Sequence, residues 1–112
     1  MQPPPREHVC VMVTAPNIAV ARKLASTALS ARLVACANLV PKIESHYWWQ
    51  GQVESSSEVL IVFKSRTDKL PELEASIIKN HPYQTPEFVV VKISSGNQKY
   101  LAWISESLDG GQ

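Results

Sequence analysis

The sequence predicts an α+β domain of β-α-β-β-α-β plan, the ferredoxin-like arrangement, with a long hairpin arm and a terminal helix. Three observations carry that reading. Short apolar runs rich in β-branched residues alternate with two stretches of helical spacing. The length of 112 residues allows one domain and not two, so residues 1–112 form a single unit with loose ends at about 1–7 and 109–112. Finally, the stretch between the two helices is too long for strands contained within so small a body.

In chain order, His8 to Thr14 holds Val9, Cys10, Val11, Met12 and Val13, which reads as a central strand buried on both faces. Pro16 and Asn17 punctuate, with Asn17 suited to capping a helix. Ile18, Ala21, Leu24, Ala25, Ala28 and Leu29 then recur at helical spacing, with Arg22, Lys23, Ser26 and Ser30 on the wetter face. Val34 to Val40 is extended and continues past Pro41 through Ile43 to Trp49. Gln50-Gly51 makes the turn, glycine taking the positive φ of a tight hairpin. Val53 to Ser57 returns polar, and Val59 to Phe63 is a second buried run. Thr67 or Asp68 caps another helix, whose core face is Leu70, Leu73, Ile77 and Ile78, with Pro71 in its first turn. His81-Pro82 stops it, because proline disfavours helical geometry in the residue before it. Phe88 to Ile93 is the fourth strand, and Asn97 opens a last helix bearing Tyr100, Leu101, Ile104 and Leu108. Right-handed crossovers place the first and third strands in the centre.

Val34 to Trp49 is sixteen residues, which as an unbroken strand spans roughly 50 Å. A compact domain of this length measures about 35 Å across. Even with a bend at Pro41 the hairpin projects, and its tip carries Tyr47, Trp48 and Trp49 beside Gly51. Aromatic side chains at a protruding tip either fold back over their own sheet or are covered by another subunit, which also hides the open strand edges. The arm therefore predicts a cyclic homo-oligomer.

Composition sets the exclusions. Eleven Lys and Arg against ten Asp and Glu give a net charge of +1, which leaves no footprint for nucleic acid. Hydrophobic residues at 45% exclude a disordered chain, and no apolar run is long enough to cross a bilayer. With no secretory-type start and two cysteines, Cys10 and Cys36, the expectation is a soluble cytoplasmic protein. Phosphate loops and nucleophile elbows are absent, and no serine is tied by spacing to a histidine and an acid, so an enzyme is not expected.

His8, Cys10, Cys36, His46 and His81 are the soft ligands, none in zinc-finger spacing. His8 and Cys10 share a strand face by the period of two. His81 and Glu87 flank a connector stiffened by Pro82 and Pro86, and could offer imidazole and carboxylate to a divalent cation. The alternative is that His81 caps helix carbonyls and Tyr83 packs, just as Cys36 in its apolar run is core by default. Glu58 and Lys64 flank a buried strand, either at a subunit seam or as solvated strand ends.

The blocks Val13-Thr14-Ala15-Pro16-Asn17, Leu33 to Pro41, Ser45 to Gly51, Glu58 to Lys64, His81 to Glu87 and Tyr100 to Trp103 together resemble the CutA family of divalent-cation-tolerance proteins, in its order and spacing from about Val9 to Leu108. The resemblance implies a ferredoxin-like subunit in a tight trimer with exchanged β-arms, similar to the PII signalling proteins, and a role in tolerance of copper and other divalent cations. In animals it also implies a link to anchoring of acetylcholinesterase. Where some bacterial members carry a cysteine before Thr-Ala-Pro this chain has Val13, and where some have His-His before Pro-Tyr it has Asn80-His81.

The sites expected from this are a metal set of His81, Glu87 and Cys36 and an inter-subunit effector cleft of Tyr47, Glu58, Lys64 and Tyr83. Trp48, Trp49 and Gly51 form the oligomer arm. Cu²⁺ or another divalent cation is expected as a weakly bound ligand of a non-catalytic homotrimer with no membrane or nucleic-acid partner. The alternatives are a trimeric scaffold for a partner protein and a PII-like small-molecule sensor.

Overall fold

A computed structural model describes residues 6–111, so the loose ends expected at Pro3 to Pro5 and Gln112 lie outside the described residues. The elements are β1 (His8–Ala15), α1 (Ile18–Ser30), β2 (Cys36–Trp49), β3 (Gln52–Arg66), α2 (Leu70–Asn80), β4 (Val89–Lys92) and α3 (Gln98–Leu108), with a 3-10 turn at Thr67–Lys69 before α2. All strand pairs are antiparallel and the sheet order is β2-β3-β1-β4, which puts β1 and β3 at the centre. This is the ferredoxin-like α+β fold.

The core lies on one face of the sheet. Val9, Val11, Val13 and Ala15 of β1 and Val59, Ile61 and Phe63 of β3 are buried against Ala21, Leu24 and Ala28 of α1 and Leu73 and Ile77 of α2. Alternate residues His8, Cys10, Met12 and Thr14 are only half-buried. β1 is thus covered fully on one face, not two, because α1 and α2 sit on the same side. Two helical assignments also shift. Leu29 is 42% exposed at the edge of the α1 stripe, and Ile78 is 57% exposed, since it is turned about 100° round the helix from buried Ile77. Asn17 caps α1 by accepting from the Val20 N–H at 2.9 Å, and Asn97 caps α3 by accepting from Tyr100 N–H at 3.1 Å.

β2 and β3 pair from Cys36↔Lys64 to Trp49↔Gln52, interrupted by a bulge between Val40 and Ile43 at Pro41-Lys42. Lys42 takes φ 62°, and the tip turn has Gln50 at φ 51° and Gly51 at φ 80°, both positive as in the primed turns that match strand twist. The two expected return segments, Val53 to Ser57 and Val59 to Phe63, are one continuous strand. The molecule measures 47 × 30 × 27 Å. At the arm tip Trp48 is 75% and Val53 61% exposed, so within one chain Trp48 does not fold back over its own sheet, whereas Trp49 is only 42% exposed.

The opposite end is tied down by charge. The buried Arg66 guanidinium donates to Asp68 at 2.5 and 3.0 Å and to Asp109 at 2.8 and 3.2 Å. Arg6 reaches the same two carboxylates at 3.3 and 3.4 Å. His8 bonds Ser105 through Nε2 at 2.9 Å, and Arg32 donates to the Ser107 carbonyl at 2.7 Å. Arg6 and Asp109, expected within loose ends, are instead parts of this clamp.

Candidate functional site

A cleft of about 880 Å³ opens between the outer part of β2, from Glu44 to Trp49, and the connector from α2 to β4. Thr14, Tyr47, Glu58, Tyr83 and Glu87 line it, together with Glu44, His46 and Trp49. The connector reaches it because Pro82 forces His81 out of the helix into extended geometry, φ −89° and ψ 135°, ending α2.

His81 locks the connector in place. Its Nε2–H donates to the Thr14 carbonyl at the end of β1, 2.7 Å away, and its Nδ1 accepts the Tyr83 N–H at 3.1 Å. Both ring nitrogens are thereby used, so the imidazole is a neutral strut with no lone pair free for a metal. It caps a strand carbonyl rather than helix carbonyls. The Tyr83 ring lies 4.7 Å from it, tilted by 49°, and the Tyr83 hydroxyl donates to Glu58 Oε2 at 2.6 Å. Tyr83 therefore does more than pack: it fixes the Glu58 carboxylate.

The electrostatics are acidic. Glu58 is 7% exposed, and among the described residues no lysine or arginine lies within ion-pair distance of it. Burial, and then the charge of Glu58, push the Glu87 carboxyl above its ordinary value. Burial and the hydrogen bond to Glu58 raise the Tyr83 phenol well above its usual range, so it stays a proton donor at neutral pH. His46 bonds the exposed Glu44 at 2.8 Å on the cleft rim, and Tyr47 reaches Ser56 at 3.3 Å.

Two expected site residues stand apart. Cys36 and Lys64 face each other across β2 and β3, and Lys64 also pairs with Cys10 of β1. The Lys64 ammonium and the Cys36 thiol both donate to Asn38 Oδ1. Thr14, under His81, pairs with Leu60, four residues along β3 from Lys64 and so about 13 Å away. Neither Cys36 nor Lys64 joins the cleft within one chain, and His81, Glu87 and Cys36 do not converge. Among the described residues no three His, Cys, Asp or Glu side chains form a metal-holding group.

Residues 9–107 match the family described as CutA1 divalent ion tolerance protein. The chain belongs to that family. Among its relatives, "Protein CutA 1, chloroplastic" of rice is 41% identical over 99 residues, 88% of this chain and 56% of the rice protein. The chain thus spans little more than half the length of that relative. The "Divalent-cation tolerance protein CutA" of Yersinia pestis is 42% identical over 100 residues, 89% of this chain and 84% of its own. In three dimensions the chain superposes on CutA1 from rice with TM-score 0.88 at 40% identity, covering 90% of this chain and 93% of that one. It also superposes on the protein described as periplasmic divalent cation tolerance protein CutA from Archaeoglobus fulgidus, with TM-score 0.87 at 33% identity, covering 90% and 98%. The Yersinia and Archaeoglobus relatives carry the name of tolerance proteins rather than of enzymes.

In this CutA1 fold the donor set of one chain does not suit a soft Cys/His site. It offers two neighbouring carboxylates, Glu58 and Glu87, which suits a hydrated divalent ion that keeps most of its waters. Sequence reasoning missed the Thr14 carbonyl as the His81 partner and the Glu44–His46 pair on the rim. The first is a backbone contact between residues 67 apart, invisible to spacing. The second was legible as residues two apart on one strand face.

Proposed function

We propose that this chain acts in divalent metal ion tolerance by binding or sensing the ion without catalysis, as a homotrimer whose cleft under the arm is the working site. The observation that carries this is Glu58, a buried carboxylate that among the described residues has one neutral donor, Tyr83, and no cation within ion-pair distance, set beside Glu87. Burying a charge unpaired is costly, and a cation arriving in the cleft relieves that cost. The names of the relatives give the cation its class.

The trimer reading is supported by the exposed aromatic tip, by the open outer edges of β2 and β4, and by Val89, Val90 and Val91, which are 40–46% exposed. Cytoplasmic residence stays the reading taken from the sequence, and the two cysteines, free here, are kept apart by geometry in any compartment. Cys10 and Cys36 flank Lys64 from either side, two strand spacings or about 9.6 Å apart, beyond the roughly 7 Å limit for a disulfide.

Calorimetric titration of the full chain with Cu²⁺ and with Zn²⁺ tests the reading. The expectation is binding tighter than about 1 mM, corresponding to about −4 kcal/mol, weakened at least tenfold by Glu58→Gln. Neither metal binding within that limit, or affinity untouched by Glu58→Gln, rejects it.

A further inference from the structure

The cleft sets aromatic walls beside its carboxylates, and a bare metal ion has no use for those walls. Tyr47 and Trp49 pair with Glu54 and Gln52, while Glu58 pairs with Ile43, so strand alternation puts Tyr47, Trp49 and Glu58 on one face of the arm. Tyr83 joins that face through its bond to Glu58. Among the described residues no buried side-chain oxygen or nitrogen lacks a partner. The Glu58 oxygen not bound by Tyr83 is therefore open to the space its carboxylate lines. Arg22 and Lys42 border a smaller groove of about 430 Å³ on another flank of Glu58, yet neither pairs with it. Among the described residues His46 is the one basic side chain lining the cleft, and it is tied to Glu44 on the rim.

A volume of about 880 Å³ is that of a small-molecule site and far exceeds what one hydrated ion fills. Ring faces attract ammonium groups, and a buried carboxylate supplies the matching charge. We propose that the cleft binds a small organic cation, a primary or quaternary ammonium compound, with its head against Glu58 and Glu87 and its apolar body on Tyr47 and Trp49, where it excludes any metal ion held by the same carboxylates. This rests on the cleft being the working site, and it does not require that a metal bind there. A lysine from a second copy presents the same ammonium chemistry, so the experiment separates that source from a free amine.

Putrescine and choline, each titrated calorimetrically into the metal-free full chain, test the proposal, with Zn²⁺ as competitor. Expected is saturable binding of at least one amine below about 1 mM, weakened tenfold or more by Glu58→Gln and severalfold by Trp49→Leu, with an apparent Kd that rises as Zn²⁺ is added. Glutamine keeps the shape of Glu58 and an acceptor for Tyr83, and Trp49 is 42% exposed, so both variants are expected to fold. Absence of amine binding at 10-fold that concentration, or binding indifferent to Glu58→Gln, overturns the proposal. So does a wild-type protein that ignores amines while Glu58→Gln dissociates the assembly, the signature of a lysine from a second copy. Zn²⁺ binding without amine binding also overturns it and leaves the tolerance function standing. Amine binding without Zn²⁺ binding supports it and leaves Zn²⁺ no part in this cleft.

Discussion

Glu87 and His81 show how the same short connector spends charge and hydrogen bonds for different ends. Glu87 has its carboxyl raised by burial and by Glu58, so its ionisation opposes folding. Its folded-state value lies above the unfolded one, hence stability is lost as pH rises through that window. Glu87→Gln is therefore expected to raise the thermal midpoint at neutral pH, with the gain shrinking to nothing below about pH 4, where the side chain is protonated in both states. Melting curves from pH 3 to 8 check this; a gain that persists in acid contradicts it. At this scale the sequence shows which residues are chemically equipped and not how they are spent. His81 reads as a ligand from its residue type, whereas its two nitrogens are consumed by Thr14 and Tyr83, a commitment set by the packing of the connector on β1.

At the scale of elements, the hairpin and the Arg66 clamp make opposite demands. The tip turn needs positive φ at Gly51, 80°, and nothing lies within 4 Å of an added Cβ, so the cost of Gly51→Val is backbone strain alone, about 1–2 kcal/mol. Chemical denaturation measures it, and Gly51→Asn is expected to lose less. In the clamp, the Arg66 guanidinium holds Asp68 down to about 2 and lowers Asp109 as well. Carboxylates lowered in the folded state stabilise above their unfolded value, near 4, and that contribution is lost as pH falls from about 4 to 2. Asp68 is a third exposed, so solvent screening reduces the worth of its pair, and Asp68→Asn is expected to cost about 1 kcal/mol at neutral pH. Protection of the α3 amides, corrected for the intrinsic exchange rate at each pH, should fall at pH 3 and in Asp109→Asn at pH 7; protection unchanged in both would mean that the clamp does not hold α3. The elements themselves were legible because hydrophobic period, Asn caps and Pro stops all act locally. The clamp was not, because Arg66 and Asp109 are 43 residues apart and no periodicity marks a through-space pair. Ile78 misled for a related reason: one apolar residue beside the stripe does not widen it.

For the whole molecule, the arm is the consequence of length. A radius of gyration of 15.0 Å exceeds the roughly 13 Å of a compact domain this size. The excess is the hairpin that chain length and its run of aromatics announced. The cleft beneath it was expected as a seam between subunits holding Tyr47, Glu58, Lys64 and Tyr83. Within one chain Tyr47, Glu58 and Tyr83 line it with Glu87 and without Lys64, a membership set only when arm and connector are both placed. The central claim is that three chains form the working unit and that Glu58 anchors a cation in each. Native mass spectrometry of the full chain with added Zn²⁺ reads both at once. The account predicts an assembly of three 12.4 kDa chains carrying up to one ion per chain, and a Glu58→Gln assembly of the same size that carries none. A monomer, or an ion count unchanged in Glu58→Gln, contradicts it.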